Sequence, residues 1–587
     1  MPVATTYPGV YIQELPSGVH TIAGVSTSTT AFVGRAAKGP IDEPTVITSF
    51  EDYQRIFGGL SLFSAMSFAV RDFFQNGGGK AVIVRLYRPG LQVAQDVAAA
   101  GVGADADAVV AAIKAAAAAY TKDPEKTLAE GIVTAAKAAA TPTATKEAVQ
   151  KAATDAAAQT GTRRATIDAN GLKLEAVSDG AWGNGLQVRV EEDPKDNTHR
   201  FKLLIRDSAS GAIEVYPNAS FVAADPSGRN IDRLLEQSQL MRATTLPVAI
   251  PTAHGAPVFP KGIWDANTPA TFSGVADADL ADDGAFLTSA DIVGAAHQAA
   301  KTGLYALRKT DLFNLLCIPP YKADASIDES IVDEAVQYCQ ARRAMFLIDP
   351  PPGWPVLKQA GEGQIKDIGA PSSYAAVFYP RLLQPNPLRD GQEEAFAPCG
   401  AVAGIFARTD AQRGVWKAPA GLEAVLSGVP RLAVNLSDGE NGQLNPLGVN
   451  CLRNFPGAGR VVWGARTREG DDRATSEWKY IPVRRMALFI EESLYRGTQW
   501  VVFEPNAEPL WAQIRLNIGA FMQSLFRQGA FQGKTPLEAY LVKCDASTTT
   551  QNDIDRGVVN IVVGFAPLKP AEFVVIRLQQ MAGQIEV

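Results

Sequence analysis

Two apolar runs with one helical pattern between them constrain this chain more than any other feature. Residues 312–318 and 344–349 read as strands, and residues 328–343 between them read as a helix. A helix is too long a connection for a hairpin and brings the strands it joins together in parallel. Residues 286–475 are therefore expected to form an α/β layer domain.

Other stretches follow different rules. Residues 1–30 read as an N-terminal arm, a short β-prone run bounded by Pro-Gly and Pro-Ser turn signals, then a Ser/Thr-rich stretch, 24–30, suited to a hinge. Residues 31–90 begin the core domain. Ser49 and Asp52 have capping-box spacing, apolar residues from Leu62 to Phe74 fall on one helical face, and residues 81–86 form a buried strand. The glycines at 77–79 lie between a helix and a strand, the reverse of a phosphate loop, and read as a helix stop.

Residues 91–164 are dominated by alanine, which favours helix but buries little area, so a helical, peripheral insertion is expected. Residues 165–285 read as a β-rich inserted outer domain, closed by a helix over 230–242. In the C-terminal domain, 476–587, helices are expected over 483–496 and 509–527, with strands over 500–503, 539–544, 558–565 and 572–578.

Chemistry is hard to find. The four histidines, His20, His199, His254 and His297, have no matching nucleophile segment, and an enzyme needs a nucleophile, a base and an orienter. The five cysteines contain no C-x-x-C pair and are expected to be reduced and mostly buried; no metal and no cofactor is expected. A net charge of −7 argues against nucleic acid as a partner, and no apolar run reaches the roughly 18 residues of a membrane span. The first residues lack the pattern of a secretory signal, so folding in the cytosol of the producing cell is expected. The composition leaves open an α/β hydrolase-like or protease-like enzyme and a self-assembling shell or surface-layer protein.

Several segments in order resemble the contractile tail sheath family, shared by myophage tails, R-type bacteriocins and extracellular contractile injection systems. They are residues 7–14, 30–40, the turn Ala181, Trp182, Gly183, Asn184, then 314–320, 349–351, 450–467 and 480–485. The resemblance implies a mixed α/β multidomain subunit whose central layer is subtilisin-like in fold and lacks a catalytic triad. It implies an arm of Val10, Tyr11, Ile12, Gln13 and Glu14 and a terminal strand of Phe573, Val574, Val575, Ile576, Arg577 and Leu578, both pairing with other copies. The 483–496 helix, with Arg484, Arg485, Glu491 and Glu492, is expected to face an inner tube. The implied assembly is a homo-oligomer of stacked hexameric rings that contracts around that tube. Baseplate and tail terminator or cap proteins are the further partners. Assembly takes place in the bacterial cytoplasm, and the product is a phage tail or tail-like particle without direct membrane insertion.

Overall fold

The computed structural model describes residues 20–578 apart from 90–96, 120–124, 142–143, 160–162, 194–198, 223–224, 257–261, 266–270, 277–278, 322–325, 353, 355–368 and 473–474. Its architecture is mixed α/β and multidomain. The central sheet has eight strands in the order Gly459–Val462, Val449–Phe455, Ala375–Tyr379, Met345–Ile348, Leu315–Cys317, Thr30–Gly34, Ala81–Arg85, Thr45–Ile47. The inner strands are parallel, and only the two edge strands run antiparallel to their neighbours.

A sheet covered on both sides has strands that are apolar at every position. Val33, Val82, Leu316, Phe346 and Val377 enter one core, and Phe32, Ile83, Cys317, Leu347 and Phe378 enter the other. Helix Glu329–Ala341 covers the first face. The second is covered by Phe50–Phe57, Ala65–Gln75 and Cys399–Arg413. The Ser49 hydroxyl caps Phe50–Phe57 by accepting from the Asp52 N–H at 3.1 Å. Helices Ala65–Gln75 and Cys399–Arg413 touch through glycine: a Cβ on Gly400 would lie 2.0 Å from the Ala69 carbonyl oxygen.

The alanine-rich stretch forms helices Ala106–Ala117, Glu125–Ala139 and Lys146–Gln159, which pack on a small core of their own around Val109, Ile113, Ile132 and Val149. Next come a four-stranded and a three-stranded antiparallel sheet sharing one core, which includes Leu174, Val188, Leu203 and Met241. The helix expected over 230–242 is only Ile231–Leu235, and Met241–Thr245 is a strand paired with Leu172–Ala176. Ser238 ends the helix, because its hydroxyl accepts from the N–H groups of Leu240 and Met241, both at 3.0 Å. This β-rich region is tied to the central sheet by Arg85, whose buried guanidinium donates to the carbonyls of Gly39 and Asp179, both at 2.7 Å.

At the C-terminal end, helices Ile481–Gly497 and Glu508–Arg527 pack through Met486, Ile490, Ile514, Ile518 and Met522. The strand expected over 500–503 is absent. Gln499–Val501 is a 3-10 turn, and Val502 and Phe503 project into solvent. The run is apolar, but it reverses the chain between two helices and meets no strand to pair with. Among the described residues no helix is long and apolar enough to cross a membrane.

Candidate assembly site

Strands Tyr540–Lys543 and Val562–Phe565 pair antiparallel as a sheet of only two strands. One face rests on helix Glu508–Arg527. The Tyr540 hydroxyl donates to Gln523 Oε1 at 2.8 Å, and Phe531 packs against the rings of Tyr540 and Phe565. Leu541 and Val562 are exposed. Two strands are marginal alone, and each leaves an outer row of N–H and C=O groups open.

After this pair the chain is held at few points. The Ala566 carbonyl accepts from the Gln532 N–H at 2.9 Å. Glu572 is then fixed on all sides: Arg466 donates from Nε to Oε1 (2.7 Å) and from Nη2 to Oε2 (2.8 Å), Asn445 Nδ2 to Oε1 (2.7 Å), and the Tyr480 hydroxyl to Oε2 (3.0 Å). Arg466 is completely buried and also donates to the carbonyls of Asn445 and Gly470 and to Asp472. Burial pushes the Glu572 carboxyl up, but hydrogen bonds from Arg466 and Asn445 and the Arg466 charge outweigh it and hold the group below its ordinary value.

Past this clamp the constraint stops. Phe573, Val574, Val575, Ile576, Arg577 and Leu578 are all exposed, Leu578 at 94%, and they pair with no strand among the described residues. Five apolar side chains in six positions, with open main-chain groups, form a surface that a soluble monomer rarely leaves uncovered. The residues are those expected for the terminal strand; within this subunit they are assigned no strand.

Val10, Tyr11, Ile12, Gln13 and Glu14 lie outside the described residues. The stretch expected to hinge, 24–30, is docked instead. The Val25 N–H donates to Ser493 Oγ (3.2 Å), Arg485 to the Thr27 carbonyl (2.8 Å), and the Thr29 N–H to Asn314 Oδ1 (3.0 Å). Ile22 is buried in the C-terminal core, and the His20 ring stacks on Trp500 at 4.2 Å. In this subunit the backbone of the polar stretch is hydrogen-bonded both to the C-terminal helix and to the central layer.

The outward role expected of the 483–496 helix needs a larger correction. Arg484, Arg485 and Glu492 are buried. Arg484 lies over the rings of Tyr374 and Trp478, Arg485 pairs with Asp410 at 2.6 Å, and Glu492 pairs with Arg343 at 2.8 Å and Arg496 at 2.7 Å. These charges join the C-terminal helix to the central layer; of the four only Glu491 is substantially open to solvent. Sequence reasoning missed the clamp of Arg466, Glu572, Tyr480 and Asn445, because its partners are far apart in the chain and no local spacing marks them.

Little points to catalysis. All five cysteines are buried and unpaired. His254 Nδ1 accepts from the Val190 N–H at 3.0 Å, and His297 contacts Thr302 and the Ala290 carbonyl. Among the described residues no three His, Cys, Asp or Glu side chains are placed to hold a metal.

Comparison with known proteins adds independent findings. Residues 293–468 match the model of the phage tail sheath protein central domain, and residues 473–581 that of the phage tail sheath C-terminal domain. The tail sheath protein of Vibrio phage KVP40 is 23% identical over 392 residues, 65% of this chain; the match spans only 55% of that relative's length. Among solved structures, the contracted-state sheath complex of the extracellular contractile injection system PVC is 19% identical, with a TM-score of 0.52 and 99% of each chain covered. The sheath tail protein of Listeria innocua is 12% identical, with a TM-score of 0.54, covering 93% of this chain and 96% of its own. At these identities the structural likeness speaks to the fold.

Proposed function

The chain belongs to the phage tail sheath family, whose members are structural proteins and not enzymes, and from that premise we propose that it is the subunit of a contractile sheath. On this reading the subunits stack as hexameric rings around an inner tube, meet a baseplate and a terminator or cap, and contract to drive the tube through a target envelope. The particle is a phage tail or a phage-tail-like device assembled in the bacterial cytoplasm. The central sheet is the family's subtilisin-like layer, built from 31–90 and 286–475 and used as scaffold, with 91–164 and 165–285 inserted.

One observation carries the reading. An exposed apolar segment, 573–578, follows a buried clamp, and the same subunit offers a two-stranded sheet with open edges. The segment and the edge complement each other between copies: main-chain hydrogen bonds supply the ladder and side chains the specificity. Val10 to Glu14 would add a strand to such a sheet from the other end of the chain. A ladder hydrogen bond contributes about 0.5–1.5 kcal/mol, while ordering a residue costs about 1–2 kcal/mol, so the ladder alone roughly breaks even. Burial of Phe573, Val574 and Ile576, at about 1.5–3 kcal/mol for each well-buried side chain, supplies the surplus.

Heterologous contacts of this kind close into rings or continue as helices, the two geometries a sheath combines. Contraction then turns rigid subunits while exchanged strands keep the lattice connected, and the extended form persists behind a barrier. Truncation after Glu572, and separately Tyr11→Ala with Ile12→Ala, should give folded, soluble subunits that form no tubes by electron microscopy. Tubes of normal length from either variant would remove the corresponding arm from the account.

A further inference from the structure

Phe503 is fully exposed and Val502 beside it is 62% exposed, at the turn between the two long helices of the C-terminal domain. The Phe503 backbone has φ of 71°, a left-handed conformation that is strained for a bulky side chain. A strained turn that holds a phenyl ring in water gains nothing within its own subunit. Glu504 follows, also exposed, and forms no ion pair among the described residues.

Elsewhere on the chain a cavity of about 950 Å³ opens where the C-terminal segment departs. Trp416, Trp463 and Tyr480 wall it, and Lys417 and Lys569 lie among its lining residues. Lys417 donates to the carbonyls of Ala418 and Ala420, whereas Lys569 is exposed and has no acidic partner among the described residues. Residues 502–504 are not part of this lining, so the exposed ring and the aromatic cavity are separate surfaces of one chain.

We propose that Phe503 of one copy inserts into this cavity on a second copy, with Glu504 facing Lys569; the proposal rests on the polymeric reading above. Ring and walls match in character, an unpaired acid beside the ring meets an unpaired base on the rim, and the cavity borders the segment proposed to be exchanged. The contact is heterologous, so it repeats from subunit to subunit. It gives the lattice a second joint, independent of main-chain pairing.

The test mixes two single variants, Glu504→Cys and Lys569→Cys, before assembly, and oxidises the resulting sheath. The five native cysteines are buried and give little background. A disulfide-linked dimer should form in the mixture, and neither variant alone should give it. In parallel, Phe503→Asp should raise the concentration needed for polymerisation by about tenfold or more. Glu504→Lys and Lys569→Glu should each weaken assembly, and their combination should restore it. Tubes that assemble normally without the cross-link, or Phe503→Asp chains that polymerise at the unmodified concentration, would overturn this contact and leave the arm exchange standing. Dimers from Glu504→Cys alone would overturn it in favour of a symmetric contact. Failure of the unmodified chain to form any tube would overturn the polymeric reading beneath it.

Discussion

Glu572 and Arg466 are 106 positions apart in the chain, yet they meet through two parallel hydrogen bonds of 2.7 and 2.8 Å. The guanidinium is completely buried and the carboxylate is 18% exposed. Beyond this pair, residues 573–578 are exposed and pair with no strand among the described residues.

Glu572→Ala leaves the Arg466 charge buried and short of its main partner. Such a loss is worth about 3 kcal/mol, the lower end of the usual range because Glu572 is partly open to water. Urea denaturation should show that loss for Glu572→Ala and a smaller one for Glu572→Gln. The depressed Glu572 pKa also fixes a sign. Its stabilisation is present above the unfolded value, about 4.3, and is lost as pH falls through the lower folded value. Glu572→Gln should therefore flatten the acid limb of the stability curve.

Asp349 should behave in the opposite sense. Burial pushes its carboxyl up to about 6, against the hydrogen bond it accepts from the Cys399 N–H at 2.8 Å, and its second oxygen has no partner. A raised carboxyl favours folding below its unfolded value and loses that contribution as pH rises from about 3.9 towards 6. Asp349→Asn should remove this decline, measured as melting temperature across that range; an unchanged slope would place the titration elsewhere.

Arg485 and Asp410 bind side by side at 2.8 and 2.6 Å, with only 4% of each side chain exposed. Removing either partner strands the other, at a cost of about 3–5 kcal/mol, whereas replacing both by apolar residues of similar size costs far less. Asp410→Leu, Arg485→Met and the double variant, compared by urea denaturation, should show that non-additivity.

Gly404→Ala should destabilise the subunit although alanine is the better helix former by about 1 kcal/mol. The added Cβ would fall 2.5 Å from the Phe73 carbonyl oxygen, which is backbone and cannot rotate away. Overpacking of this kind costs about 1–3 kcal/mol, visible as a lower melting temperature.

These tests also mark which parts of the molecule were legible in the sequence. The central strands were, because a sheet covered on both faces demands unbroken apolar runs such as Met345–Ile348. The long amphipathic helix Glu508–Arg527 was, because its buried residues Ile514, Ile518, Phe521 and Leu525 recur at helical spacing. The run from Trp500 to Phe503 misled because β-prone residues form a strand only where a partner strand is available, and here the chain is turning. The pairs Arg466 with Glu572 and Arg485 with Asp410 were illegible, since each is made by tertiary folding between distant residues. For the same reason the 483–496 helix read as an outward charged face when most of its charges point inward. The segment 573–578 reads as a strand by composition, yet it pairs with no strand among the described residues, and composition cannot say what would supply a partner.

That question is the centre of the account, and a cryo-EM map of the assembled polymer answers it most directly. The account predicts that main-chain density for 573–578 runs beside the Tyr540–Lys543 and Val562–Phe565 pair of a different subunit. Density tracing 573–578 back onto the sheet of its own subunit, with no strand crossing between copies, would contradict it.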